Sequence, residues 1–377
     1  MRRSYLRTVI TDAAGEYLAD FRGRGTVVQR AYQTHTAAMQ IPAKHPAVAA
    51  LIATPEPRGE VWMITEDVDA GTLTRERVTS GRVISAQGSG PFGPATVNIA
   101  DDKSLLDTVL GWPKPTAGLT GQNVEYAVYT GATETVVKAA IQANATRLGL
   151  PWDIVPTRGV GPSTTRLELR MHDLTRMVMP LLESARLILT VERQDNGRWM
   201  VDVVAGDTYT GALTPESGVL AEWEWTIQYR TATRAVGGGR GDGTARQFKQ
   251  YIDTAAEAAV GLPLEVFIDA RQTEEGVDFT PEIVEEVKSR RPSAGFTPQI
   301  QEAGWFRFPD AYRIGTRVPV KAGAFEVDDV ITQIEIVHDD KGFRVTPTIG
   351  LASADPQQQL LNLVRQLASQ VRGLERR

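Results

Sequence analysis

Between Glu222 and Arg230 apolar and polar residues alternate. Trp223, Trp225, Ile227 and Tyr229 fall on one side, and Glu222, Glu224, Gln228 and Arg230 on the other. That period of two predicts a strand with one face buried and the other wet. Val27–Thr36 and Val61–Thr65 are rich in β-branched and aromatic residues, and Gly and Pro clusters bound them. The first ~90 residues therefore read as short strands and turns of a barrel-like domain. Beyond Pro94 the period changes. Val136, Val137, Ala140, Ile141, Ala145 and Leu148 recur at helical spacing, which predicts a helix over Thr133–Leu148 that Gly149 and Pro151 end. A second helix is expected from Asp173 to Ala185, with Leu174, Val178, Leu181 and Leu182 on one face and a kink or early end at Pro180.

Leu187–Glu192 and Trp199–Val204 flank Asp195-Asn196-Gly197, a strong hairpin signal. Thr280-Pro281-Glu282 opens a helix to about Arg290. Strands follow at Arg313–Val320, Val330–His338 and Phe343–Ile349, the last two joined by a turn at Asp339-Asp340-Lys341-Gly342. After Pro356, Leu360, Val364, Leu367, Val371 and Leu374 recur at spacings of four and three, an a/d seam of about two heptads. The reading is a β-rich α+β chain in four parts. Residues 1–94 form a first β-barrel-like domain and 95–218 an α+β insertion. Residues 219–355 form a second barrel-like domain with a helical insertion, and 356–377 a coiled-coil helix.

Composition narrows the chemistry. The 377 residues carry a net charge of −5, which argues against a dedicated nucleic-acid binder. There is no cysteine, so disulfides, thiolate-held zinc and a cysteine nucleophile are excluded. No stretch reaches the ~20 apolar residues of a membrane helix. The first residues lack a continuous apolar run and soon meet Asp12, Glu16 and Asp20, so they do not read as a leader, and synthesis in the cytoplasm is expected.

Four histidines, His35, His45, His172 and His338, match no metal-ligand spacing. His172-Asp173 lacks the serine elbow of a triad. The run Gly237-Gly238-Gly239-Arg240-Gly241-Asp242-Gly243-Thr244 lacks the Lys-Ser/Thr pair of a phosphate loop and reads as a flexible loop leaving a strand. Asp101-Asp102, Glu274-Glu275 and Asp328-Asp329 read as solvated turn residues. No catalytic, cofactor or metal residue emerges, and an assembly component is what remains.

Four segments resemble the baseplate-hub, or minor tail, proteins of long-tailed phages, especially those of actinobacterial hosts. They are WPKP at 112–115 with the helix at 134–149, the helix–hairpin block at 172–204, AVGGGRGDGTARQF at 235–248 with EVFIDAR at 265–271, and DAYRIGTRVPV at 310–320. In the last, Gly315-Thr316 stands where the family has Gly-Asp. The resemblance implies a non-enzymatic virion protein, made in the host cytoplasm. Three chains would give a pseudo-sixfold ring of tube-like barrels at the tail tip. It further implies the distal tail protein, the tape-measure C-terminus and a downstream fibre or spike as partners. Trimerisation would run through Leu360, Val364, Leu367, Val371 and Leu374. A tail-associated cell-wall hydrolase or a receptor-binding tip protein is the alternative.

Overall fold

Seven strands occupy the first hundred residues: β1 (Arg2–Thr11), β2 (Tyr17–Gly23), β3 (Gly25–Arg30), β4 (Thr36–Ile41), β5 (Arg58–Asp67), β6 (Thr72–Gly88) and β7 (Ala95–Asp101). The computed structural model describes residues 2–89, 93–241, 243–271, 278–323 and 325–350. Burial follows the two-residue period: Leu6, Thr8 and Ile10 of β1 and Ala37, Met39 and Ile41 of β4 point into the core.

Three late strands, Arg317–Ala322, Phe325–Asp339 and Gly342–Ile349, join the same sheet. Phe325–Asp339 pairs antiparallel with β3, placing Ile336 opposite Val27 and Ile334 opposite Gln29. The order is β2-β1-β5-β6-β7-β4-β3, then Phe325–Asp339 and Arg317–Ala322, with Gly342–Ile349 also paired to Phe325–Asp339. The expected pair of barrels is thus corrected. The fold is β-rich α+β, but among the described residues strands of both expected barrels join one open ten-stranded sheet, and the remaining sheets have two or three strands. The edge of β3 takes a strand from some three hundred residues downstream, and a pairing that remote leaves no trace in a local pattern.

The α+β block is built as its periodicity predicts. Helices Thr133–Leu148 and Leu174–Ala185 and the hairpin Leu187–Arg193/Trp199–Ala205 share one core. It holds Val136, Val137, Ile141, Val178, Leu182 and Val203. Gly149 closes the first helix at φ 65°, the left-handed region that suits glycine. Thr133 is not its cap; Ala132 stands there, and the Thr133 hydroxyl bonds Thr165 instead. Pro180 lies inside the second helix without ending it early. The short strand Trp152–Ile154 adds in parallel to the hairpin.

The chain divides into two compact units, one of residues 1–222 with 298–352, the other including residues 223–297. In the second, Arg234–Gly238 pairs antiparallel with Phe248–Ile252 and parallel with Glu265–Asp269. Helix Thr280–Ser289 covers one face, setting Ile283 and Val287, with the preceding Phe279, against Ala235 and Ala270. Among the described residues the strand Leu220–Gln228 pairs with Ser293–Ile300 alone. Here the burial expectation is corrected: Trp223 is 37% and Tyr229 78% exposed. Tyr229 stands beyond the end of the strand at Gln228, and a two-stranded ribbon covers little by itself. The Trp225 and Ile227 side chains lie outside those described.

Candidate functional site

The five seam residues Leu360, Val364, Leu367, Val371 and Leu374 lie outside the described residues, so the structure neither pairs nor separates them. The histidines are dispersed. His45 caps the helix Pro46–Ala53, its Nδ1 accepting from the Ala47 N–H at 3.2 Å. His338 Nδ1 lies 3.1 Å from the Gly23 carbonyl. His172 sits exposed in a two-residue strand. Among the described residues no group of three or more potential ligands could hold a metal.

The glycine run is partly strand and not wholly loop, because Gly237 and Gly238 belong to Arg234–Gly238. A Cβ on Gly237 would stand 2.5 Å from Ile283 Cδ1, and one on Gly238 would stand 2.6 Å from Arg246 Nη2. These two glycines make room for a helix on one face and a guanidinium on the other, which accounts for them without a phosphate.

Sequence reasoning missed the charges inside the larger unit. Asp101 and Asp102 are buried, not solvated. Arg58 Nη2 donates to both oxygens of Asp102, at 2.9 and 2.7 Å. Asp101 accepts from the His35 N–H at 3.0 Å, and Lys103 Nζ donates to the Arg30 carbonyl at 2.8 Å while lying 3.8 Å from Asp101. Burial dominates their titration. It pushes Asp101 up to about 7, Lys103 down to about 8, and His35 well below its ordinary value. Asp329 is also buried, 3.4 Å from Arg186, whereas Asp328 pairs with Arg317 at the surface. Glu274-Glu275 lies outside the described residues.

A second cluster stiffens the α+β block. Glu134 and Lys138 are buried one turn apart and bond at 2.7 Å. Lys138 also meets Asp202 at 2.7 Å. Glu134 accepts from the N–H groups of Arg158 and Val160, both at 2.9 Å. Burial pushes its carboxyl up, but the bonds from Lys138 and the two amides outweigh burial and hold it at about 2. Both clusters fix position through saturated ion pairs. Neither aims a nucleophile and a base at a common point, so the arrangement orders a scaffold. The signal that could have located them is weak: Glu134 and Lys138 at i,i+4 on an otherwise apolar face.

No curated protein matches the chain. Solved structures with similar chains include the 43 kDa tail protein of prophage MuSo2 from Shewanella oneidensis. It is 14% identical, with a TM-score of 0.49, covering 93% of this chain and 99% of that one. The tail protein from Neisseria meningitidis MC58 is 10% identical, with a TM-score of 0.47 and coverages of 94% and 99%. Prophage tail protein gp18 from Listeria monocytogenes EGD-e is 10% identical, with a TM-score of 0.46 and coverages of 95% and 99%. A sequence profile of the Siphovirus ReqiPepy6 Gp37-like proteins matches residues 15–351. By that match, which runs through nearly all of the sheet and the whole α+β block, the chain belongs to the Siphovirus ReqiPepy6 Gp37-like family of phage tail proteins.

Proposed function

We propose that this tail protein is the structural hub of the tail tip. Three copies form a ring that closes the distal end of the tube and joins it to the central fibre. Its neighbours are the distal tail protein, the tape-measure C-terminus and a downstream fibre or spike. Residues 357–377 gather three helices on the axis through Leu360, Val364, Leu367, Val371 and Leu374.

The observation that carries the ring is the openness of the sheet. Among the described residues β2 pairs with β1 alone, and Gly342–Ile349 with Phe325–Asp339 alone. A strand bonded on one side is a template for another chain. Two such edges let one copy continue the sheet of the next. Tethering to the ring would bring three short helices, marginal alone, to a high effective concentration.

Native mass spectrometry of the purified protein tests the reading. The expected species has three times the chain mass of 41.2 kDa. A protein that stays monomeric at micromolar concentration, and is missing from the tip of purified tails by immunolabelling, overturns it.

A further inference from the structure

Within the larger unit a cleft of about 390 Å³ runs between Glu76–Ser80 of β6 and the strand segment Ile188–Arg193. The hydrogen-bond pattern fixes which backbone groups face it. Trp199 donates its N–H to the Pro151 carbonyl, and the Val201 carbonyl accepts from the Val155 N–H. Both residues therefore turn their amides away from Leu187–Arg193. Strand alternation makes Val203 do the same, and its carbonyl accepts from Arg158. The register partners of these three are Arg193, Val191 and Leu189. Those residues point their own N–H and C=O out of the hairpin, along the side that walls the cleft.

The opposite wall is also an edge without a strand partner, although one of its groups, the Val78 carbonyl, accepts from Gln29 Nε2 at 2.6 Å. β6 pairs with β5 from Thr72 to Arg82, but its pairing with β7 begins only at Gly81. From Thr72 to Ser80 its second edge has no strand partner among the described residues. In this wall the Thr79 hydroxyl is buried without a hydrogen-bond partner. Buried main-chain amides without partners are rare, because each forfeits its hydration for nothing.

The charges around the cleft are already engaged. Arg313 pairs with Glu76. Arg77 lies 3.7 Å from Glu60 and 3.5 Å from Glu192, and Lys103 faces Asp101. Arg193, which also lines the cleft, spends its Nη2 on the Ala13 and Ala14 carbonyls, at 3.0 and 2.8 Å, rather than on a carboxylate. What remains is two strand edges and a hydroxyl, which an uncharged polypeptide in extended conformation satisfies with amides along both its sides.

We propose that the cleft is a strand-insertion slot. An extended, uncharged segment of a second protein enters between Glu76–Ser80 and Leu187–Arg193. It pairs with both edges and so fuses the ten-stranded sheet to the three-stranded one. At about 3.3 Å per residue, the five-residue wall accepts about 16 Å of strand. Residues 357–377 of this chain are a poor occupant, since they repeat their apolar positions at helical spacing and not in alternation. The inference stands apart from the ring, because one copy holds the whole slot.

Amide hydrogen exchange on the unmodified protein tests it, comparing the free chain with intact tails. In the free chain the Leu189 and Val191 amides should exchange at least about tenfold faster than that of Thr190, which bonds Asp202 across the hairpin. In tails they should slow by at least about tenfold. Equal protection of all three in the free chain means that the edge is already closed, and no slowing in tails means that water alone fills the cleft; either overturns the proposal.

The occupant is identified by cross-linking. The chain has no cysteine, so Ser80→Cys carries a single maleimide-benzophenone label in the slot, and Thr190→Cys serves if that variant fails to assemble. An adduct mapped to a short uncharged segment of another tail protein supports insertion. An adduct to residues 351–377 or to a second copy of this chain overturns it, as does an assembled, labelled tail with no adduct. If neither variant assembles, the exchange comparison decides.

Discussion

Arg58 and Asp102 in the larger unit meet at 2.7 Å, with 8% and 1% of their side chains exposed. Lys249 and Asp278 in the smaller unit also meet at 2.7 Å, with 40% and 62% exposed. The contact is the same and its consequence is opposite. The first pair has left water, so either partner alone would be a stranded charge. The second stays in water, where screening and side-chain entropy take back most of the Coulomb gain. The larger unit ties its layers together with desolvated pairs. The smaller unit relies on one thin apolar contact between Phe279, Ile283 and Val287 and the sheet beneath. Distance alone says little about what a pair holds in place.

The largest effect should come from Asp102→Ala, which leaves the Arg58 guanidinium buried and unpaired. A loss of about 3–5 kcal/mol is expected in chemical denaturation. A loss below about 1 kcal/mol would erase the contrast between the units.

Ile283→Ala attacks the smaller unit where it is thin. A loss of about 2–5 kcal/mol is expected, with faster amide exchange confined to residues 223–297. Spread of that exchange into the α+β block would show that the two units unfold as one.

Gly237→Ala pushes a methyl toward Ile283 and should cost about 1–3 kcal/mol by overpacking, read as a lowered Tm. An unchanged Tm would mean the helix slides away freely.

Acid sharpens the comparison further. Glu134 titrates at about 2 in the fold against an ordinary 4.5. The stability it contributes is therefore complete above pH 4.5 and drains away as pH falls toward 2. Glu134→Gln should flatten that part of the stability profile, measured by thermal melts across the range. Asp278 is also lowered, chiefly by its bond from Lys249, but it lies in solvent. One molar salt, with a screening length of about 3 Å, should blunt its contribution and spare that of Glu134.

The smallest effect is expected from Lys249→Ala, within about 1 kcal/mol of the parent.

What the sequence made legible was local. The helix Thr133–Leu148 and the hairpin around Asn196-Gly197 are written in three- to four-residue recurrences and a turn dipeptide, so they stand where the pattern puts them. The partner of β3 could not be read in this way, because strand edges carry no label for a mate three hundred residues distant. Asp101 and Asp102 misled for a related reason. Adjacent carboxylates soon after the Gly- and Pro-rich run at 88–94 look like a turn, and only Arg58 beside Asp102, with Lys103 and the His35 amide beside Asp101, makes their burial tolerable. Trp223 and Tyr229 show the converse. Alternation reports that a strand has two unlike faces, not that the chain's own layers cover one of them. The family resemblance is carried by the order of four segments between residues 112 and 320, and the match over residues 15–351 includes them all.

The bond between β3 and Phe325–Asp339 also sets a timetable. Gln333 pairs with Arg30, so on the ribosome β3 must wait for about three hundred more residues. At 5–20 residues per second that is about 15–60 s. Hairpins inside the first hundred residues close in microseconds, so a nearly finished sheet emerges early with one edge unclaimed. For that interval the nascent chain displays the kind of edge that recruits strangers. Its yield in cells will then depend on how fast translation delivers the last strands, as much as on how stable the finished fold is.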